Sequence, residues 1–164
     1  ILNNLNEKQI SILKSKDFYF IISLMIIDET DNSDYFLYKF KVSNEQKKRI
    51  KLLKKFYVEN IKKNIFTEEN LWKVFYENDK IILNDIIDLH LMKNKSSIKK
   101  LIKLKEFFKD KEPPKFNINA TYIMEKFKIE EGPFLGQKLK QIEKQWLENK
   151  FKISEQKITE IVNN

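Results

Sequence analysis

An all-α fold, an irregular bundle of about eight or nine helices, is predicted by three features of the sequence. Apolar residues recur at three- and four-residue intervals, strict apolar–polar alternation is rare, and residues with special backbone geometry are confined to one region. Both glycines, Gly132 and Gly136, and all three prolines, Pro113, Pro114 and Pro133, fall between positions 113 and 136. Glycine permits positive φ or the close approach of another backbone, and proline fixes φ and opens helices. The 164 residues suit one domain or two small ones. A compact chain of this size buries roughly 68–70% of its unfolded surface. A hydrophobic content of 41%, with thirteen Phe, six Tyr and two Trp, can therefore fill a core to which alanine, represented by Ala120 alone, adds almost nothing.

The elements follow in order. Asn4 to Leu13 reads as a short amphipathic helix, and Asp17 caps a strongly apolar one that runs through Ile27. Glu29 to Asp34 is a polar break. Ser43 is a good N-cap for a long helix to about Asn60, with Ile50, Leu53, Tyr57 and Ile61 on one face. Thr67, with Asn70 three residues on, caps a helix carrying Leu71, Trp72, Val74, Phe75 and Tyr76. Ile81 to Met92 is apolar on nearly all sides except Asn84, Asp85 and Asp88, which predicts a central position. Ser97 starts a lysine-studded helix with Ile98, Leu101, Ile102, Leu104, Phe107 and Phe108.

Lys111 to Asn119 is an extended connector, because each proline pushes its predecessor away from the helical region. The chain is accordingly divided into a helical body, residues 1–110, and a helical tail, residues 111–164. In the tail a short helix from Ala120 to Phe127 precedes a Gly-Pro corner. There Gly132 stops one helix, Pro133 starts the next at its first turn, and Gly136 leaves one face of it bare. That helix runs to about Asn149 with Leu135, Leu139, Ile142 and Trp146 as its buried seam, and Ser154 caps a final one. No internal repeat is visible, which argues against a solenoid.

Composition excludes several classes. Without cysteine there is neither a disulfide nor a thiolate metal site. The most apolar run, Phe18 to Ile27, falls short of the roughly 18–20 residues that span a bilayer. No signal-peptide pattern is present, and a cytoplasmic location is expected. The first residue is Ile rather than Met, so the chain reads as part of a longer protein. His90 is the single histidine and lies within an apolar helix, as a packed residue without an HxxxH or HExxH partner. The acidic pairs Asp85/Asp88 and Glu130/Glu131 read as solvated faces or caps. No glycine loop cradles phosphate, and no catalytic or metal-binding constellation is found.

The net charge of +8 and a pI near 9.4 favour a polyanionic partner. Of 32 basic residues only Arg49 is an arginine, so the balance suits phosphate contact rather than base reading by arginine's planar fork. Two lysine clusters are candidates for an RNA backbone: Lys47, Lys48, Lys51, Lys54 and Lys55, and Lys95, Lys99, Lys100, Lys103 and Lys105. A lysine-rich solvated surface is the alternative. At the corner, unpaired N–H groups in the first turn after Pro133 offer an anion site. Lys138 or Lys140 is placed to assist. Gly136 is read either as admitting a phosphate or as letting two helices pack.

The run from Pro114 to Trp146 resembles the C-terminal tail of bacterial tRNA nucleotidyltransferases, the CCA-adding enzymes, and of the related bacterial poly(A) polymerases. The family signature runs P-x-[apolar]-x-G-x-D-[apolar]-[apolar], then G-[apolar] and P-G-P-x-[apolar]-G-x-x-L. Here it reads Phe116-Asn117-Ile118-Asn119-Ala120-Thr121-Tyr122-Ile123-Met124 and Phe127-Lys128-Ile129-Glu130-Glu131-Gly132-Pro133-Phe134-Leu135-Gly136-Gln137-Lys138-Leu139. Ala120 replaces the usual glycine and Tyr122 the usual aspartate, so no role passes to those two positions. Phe40 to Ile50 looks like the family's LxLSNxExxRL helix start, and Leu71 to Met92 like the paired helices before the tail.

The resemblance implies an RNA-binding body and tail that grip tRNA by shape and phosphate contact. The candidates for that contact are Lys95, Lys99, Lys100, Lys103, Gly132, Pro133, Gly136, Lys138 and Lys140. It also implies a catalytic head upstream, with Mg2+ and ATP or CTP. The head's D-x-D is not in this chain, and Glu45 and Arg49 are too far apart for the neck motif. This chain is therefore expected to hold no cofactor and no catalytic residue, with tRNA or another structured RNA and the N-terminal catalytic domain of the same protein as partners. A helical protein-interaction module without an RNA role is the other reading.

Overall fold

The computed structural model describes residues 5–62, 66–93 and 98–164, and among them every regular element is a helix. There are ten, one or two more than the sequence predicts. The chain divides into two compact units, Ile1–Pro113 and Pro114–Asn164.

The first unit holds α1 (Glu7–Lys14), α2 (Phe18–Ile26), α3 (Asn32–Lys39), α4 (Asn44–Lys62), α5 (Glu68–Glu77), α6 (Lys80–Lys93) and α7 (Ile98–Phe108). Side-chain caps set most of the starts, as the sequence predicts for α2, α4 and α5. Asp17 accepts from the Phe20 N–H, Ser43 from Gln46 and Thr67 from Asn70. At α1 the cap is Asn6, paired with Gln9 in a reciprocal capping box, so this helix begins later than Asn4. Ser97 lies outside the described residues, as does the Ile61 side chain.

Helix α3 begins inside the segment read as a polar break. The Asp28 carboxylate gathers the Thr30 N–H and hydroxyl and the Asn32 side-chain amide, which folds the acidic run into a turn rather than an open loop. Inward-facing Ser33, Phe36 and Leu37 then recur at helical spacing.

Helix α6 packs against α1, α2, α4, α5 and α7, the central position its apolar circumference predicts. From Asp85 to Met92 every residue is buried. Asp85 and Asp88 are not the solvated face expected from sequence: each is 1% exposed. Arg49, from α4, donates from Nε to Asp85 Oδ2 at 2.8 Å and from Nη1 to Asp17 Oδ2 at 2.6 Å. Lys16 Nζ lies 2.8 Å from both Asp85 Oδ1 and Asp88 Oδ2, with hydrogen-bond geometry only at Asp85. Lys105, from α7, donates to Asp88 Oδ1 at 2.5 Å. Three cations thus meet three carboxylates, and two ionised aspartates are tolerated in a core because each has close partners.

The second unit holds α8 (Ala120–Phe127), α9 (Pro133–Glu148) and α10 (Glu155–Asn163). Asn119 and Ser154 cap α8 and α10 through the Tyr122 and Lys157 N–H groups. Ile123, Leu135, Ile142, Ile158 and Val162 form the core, with Leu139 half-buried against it. Trp146 lies between Phe116 and Phe151, with ring centroids 5.3 and 5.0 Å away. Gly132 does not stop α8. That helix ends five residues earlier at Phe127, and Lys128 takes the left-handed conformation (φ 56°, ψ 38°) in the place where glycine is usual. Gly132 is instead the N-cap of α9, in extended backbone open to any residue, with Pro133 in the first turn as expected.

Removing one member of the buried charge cluster strands the others. Asp85→Ala is expected to destabilise the first unit by about 3–5 kcal/mol, because Arg49 and Lys16 lose a buried counter-ion. Urea denaturation followed by circular dichroism measures it, and a change below about 1 kcal/mol would show that the cluster does not hold the helices.

Candidate nucleic-acid interface

On α7 the apolar side is Leu101, Leu104 and Phe108, all buried. Lys99 and Lys103 lie on the side away from it and Lys100 at its flank, all three exposed. Lys99 and Lys103 are one turn apart, so they share a face, and neither has an ion-pair partner among the described residues. Lys95 lies outside the described residues. Lys105, grouped with them in sequence, does not belong to that face, because its ammonium is the inward counter-ion of Asp88. Helix α4 presents a second row, Lys48, Lys51 and Lys55, at the spacing of one helix face. Lys54 is drawn away to Asp34 at 2.7 Å.

In the second unit, α9 begins with no side-chain cap hydrogen bond. The Gly136 N–H returns to the Gly132 carbonyl, whereas the first-turn N–H groups of Phe134 and Leu135 precede the first backbone bond of the helix, at an end that favours anions. A Cβ at Gly132 or Gly136 would meet nothing within 4 Å. Among the described residues Gly136 therefore lies against no helix, and the packing reading finds no neighbour among them. Lys140 is exposed one turn on.

Lys138 departs from expectation. It is 5% exposed, its Nζ donates to the Ile161 carbonyl at 2.9 Å, and it lies 4.9 Å from the Phe134 ring centre. A cation beside the C-terminal carbonyls of α10 complements that helix's dipole, so Lys138 ties α10 to α9 instead of reaching outwards. Tyr122, at the family's aspartate position, also has a structural partner set. Its hydroxyl lies 3.1 Å from Glu155 and 2.9 Å from Lys126, which itself reaches Glu155 at 2.6 Å.

Groups with catalytic potential are committed elsewhere. The Asp85/Asp88 pair does not fit a divalent cation, since Lys16, Arg49 and Lys105 already face it. Among the described residues no group of three or more His, Cys, Asp or Glu side chains converges on a metal position. A cleft of about 490 Å3 opens over Arg49, but Asp17, Glu45, Glu77 and Asp79 line it against Lys48 and Arg49. That balance repels phosphate. At Asp17, burial pushes the carboxyl upwards, but hydrogen bonds from Arg49 and the Phe20 N–H, with the Arg49 charge, leave it below the usual value. Among the described residues no helix is long and apolar enough to cross a membrane.

Two compact units, helical throughout their described residues, with lysines on exposed helix faces and the single arginine in a core, define a helical module. Comparison with protein families places it further. The family model for tRNA nucleotidyltransferase domain 2 matches residues 12–162, and the chain belongs to that family. Searches of curated proteins and of solved structures return no match.

His90 is a core residue, as the sequence predicts: 2% exposed, stacked on Phe66 with ring centroids 4.3 Å apart, and edge-on to Tyr57. Burial lowers its pKa to about 4 from an ordinary 6.5. Between those values the unfolded chain binds a proton that the folded chain does not, so stability falls as pH falls through the window. The loss reaches on the order of 3 kcal/mol at the acid end. His90→Leu is expected to flatten the pH 4–6.5 dependence of the urea midpoint. An unchanged slope would place the titration elsewhere.

Proposed function

We propose that this chain is the RNA-gripping helical portion of a tRNA nucleotidyltransferase or poly(A) polymerase, holding tRNA or another structured RNA by shape and phosphate contact. Nucleotide addition to the RNA 3′ end then belongs to a catalytic head elsewhere in the polypeptide, which supplies Mg2+ and ATP or CTP chemistry. Family membership over residues 12–162 carries the reading. The chemistry of the exposed groups supports it. Lysine is a point charge that neutralises a phosphate oxygen without reading a base, and helical RNA is recognised largely through backbone and shape. In this assignment Lys99, Lys100 and Lys103 form one phosphate-binding face. The first-turn N–H groups after Gly132 and Pro133, with the bare backbone at Gly136 and the cation of Lys140, form the other. Lys138 acts by holding α10 in place.

Two experiments on the isolated chain test the assignment. It is expected to bind tRNA weakly, with log K falling against log salt at a slope of about −2 to −4 if three to five phosphates are neutralised. Replacing Lys99, Lys100 and Lys103 by Gln should flatten that slope by about 1 for each phosphate left without its lysine. A slope near zero in the unmodified chain would instead favour a protein-interaction module. The same material should add no AMP or CMP to tRNA with any divalent metal, since it supplies no carboxylate pair spaced for two-metal phosphoryl transfer.

Gly136→Ala separates backbone approach from a passive turn. Open space surrounds the position, so the substitution should stabilise α9 by up to about 1 kcal/mol through helix propensity. Under the proposal it weakens tRNA binding several-fold. Stabilisation with undiminished binding would remove Gly136 from the interface.

A further inference from the structure

The first turn of α9 carries an aromatic ring that the second unit does not bury. Phe134 is 52% exposed, whereas Leu135 beside it belongs to the core. The Lys138 ammonium lies 4.9 Å from the centre of the Phe134 ring, and its hydrogen bond to the Ile161 carbonyl holds it there. A cation over an aromatic face attracts the ring and fixes it. The exposed part of Phe134 is then the side away from Lys138. Beside it lies an open groove of about 520 Å3, lined by Phe134, Gln137, Gln141, Lys144 and Gln145 from α9 and reaching α10 at Ile161. Sites for small organic groups have volumes of roughly 300–1,000 Å3.

Phe134, Gln137, Gln141 and Gln145 are spaced three and four residues apart and share one helix face. Gln145 commits its amide N–H to Glu148 at 2.7 Å, and Lys144 lies 3.9 Å from the same side chain. The one carboxylate lining the groove is thus already faced by a donor and a cation. Gln137 and Gln141 are exposed, and neither has a hydrogen-bond partner among the described residues.

We propose that this groove holds one unpaired nucleobase of the bound RNA, stacked on the free side of Phe134 with its edge towards the Gln137 and Gln141 amides. The inference rests on the functional reading above, in which the partner is RNA. Every base has a π face that stacks on an aromatic ring. Each glutamine amide both donates and accepts, as does the edge of a base. An apolar protein side chain in the same place would cover Phe134 but leave those amides unpaired, which favours the base. Two lysines against one glutamate line the groove, so the phosphate attached to that base is also accommodated. A base inside a duplex cannot lie there, because only unstacked bases of loops, bulges and ends are splayed out to meet aromatic side chains. The groove therefore adds a preference for unpaired nucleotides to lysine faces that respond to phosphate alone.

Fluorescence anisotropy with two RNAs of equal length tests this, one a hairpin with an unpaired loop and the other a blunt duplex without unpaired bases. Phe134→Leu keeps apolar bulk and removes the π face. It is expected to weaken hairpin binding by roughly 5- to 150-fold, the range for losing one stacked base, and to leave duplex binding unchanged. Phe134→Trp, which retains a stacking surface, should keep the hairpin affinity. Gln137→Ala with Gln141→Ala should weaken hairpin binding several-fold with the same selectivity, and undiminished binding would overturn the edge contacts. All three side chains are exposed, so the circular dichroism of each variant should match that of the unmodified chain. Equal losses on both RNAs after Phe134→Leu, or a loss on neither, would overturn the stacking assignment and leave the functional reading standing. Release of the hairpin by millimolar free AMP or CMP would overturn it too, by assigning the groove to a free nucleotide. Failure of the unmodified chain to bind either RNA would overturn both readings.

Discussion

Two aspartates three residues apart at the centre of the most buried helix constrain the first unit more than any other feature. Helix α6 is surrounded by five neighbours, and a carboxylate placed there is tolerated only if a cation reaches it from each side. Lys16 arrives from the link between α1 and α2, Arg49 from α4 and Lys105 from α7. Each ion pair fixes the register of one neighbour against α6, because a one-turn shift of about 5.4 Å would break a bond of less than 3 Å. Arg49 is the one side chain able to address two carboxylates at once through a planar fork. It does so to Asp17, the cap of α2, and to Asp85, so the start of α2 and the middle of α6 are coupled through one guanidinium.

That commitment shapes what the surface can do. With its single arginine in the core, the protein meets its surroundings through lysine, and lysine selects for charge rather than for base identity. The acidic cleft over Arg49 points the same way, since phosphate is disfavoured even beside the only guanidinium. In the proposed reading, phosphate is met at the outer side of α7 and at the start of α9.

Much of the fold was legible in the sequence because local rules decided it. Asp17, Ser43, Thr67 and Ser154 mark helix starts through short side chains that satisfy first-turn N–H groups, and α8 matches its expected span of Ala120–Phe127. Three features were not legible, two of them because long-range interactions override a local rule. Asp85 and Asp88 resemble a solvated pair until their partners, 36 and 69 residues away in two cases, are brought in. Lys138 resembles a surface cation until α10 folds back over it. Lys128 adopts a left-handed turn that glycine would ordinarily supply, and a composition with only two glycines leaves that task to other residues. Helix α3 was missed for a local reason: an Asp-Thr-Asn turn looks like a loop but winds directly into a helix. At the candidate interface, Lys99, Lys100 and Lys103 could be placed on one helix from spacing alone, whereas the separation of Lys105 from them needed its ion pair with Asp88.

The claim that this module grips RNA through lysine faces and the first turn of α9 is tested most directly by amide hydrogen exchange with and without tRNA. The account predicts slower exchange on tRNA addition at Phe134 and Leu135 and along α7, with no change along α2 and α3. Protection confined to α2 and α3, or none anywhere under low-salt conditions that saturate binding, would contradict it.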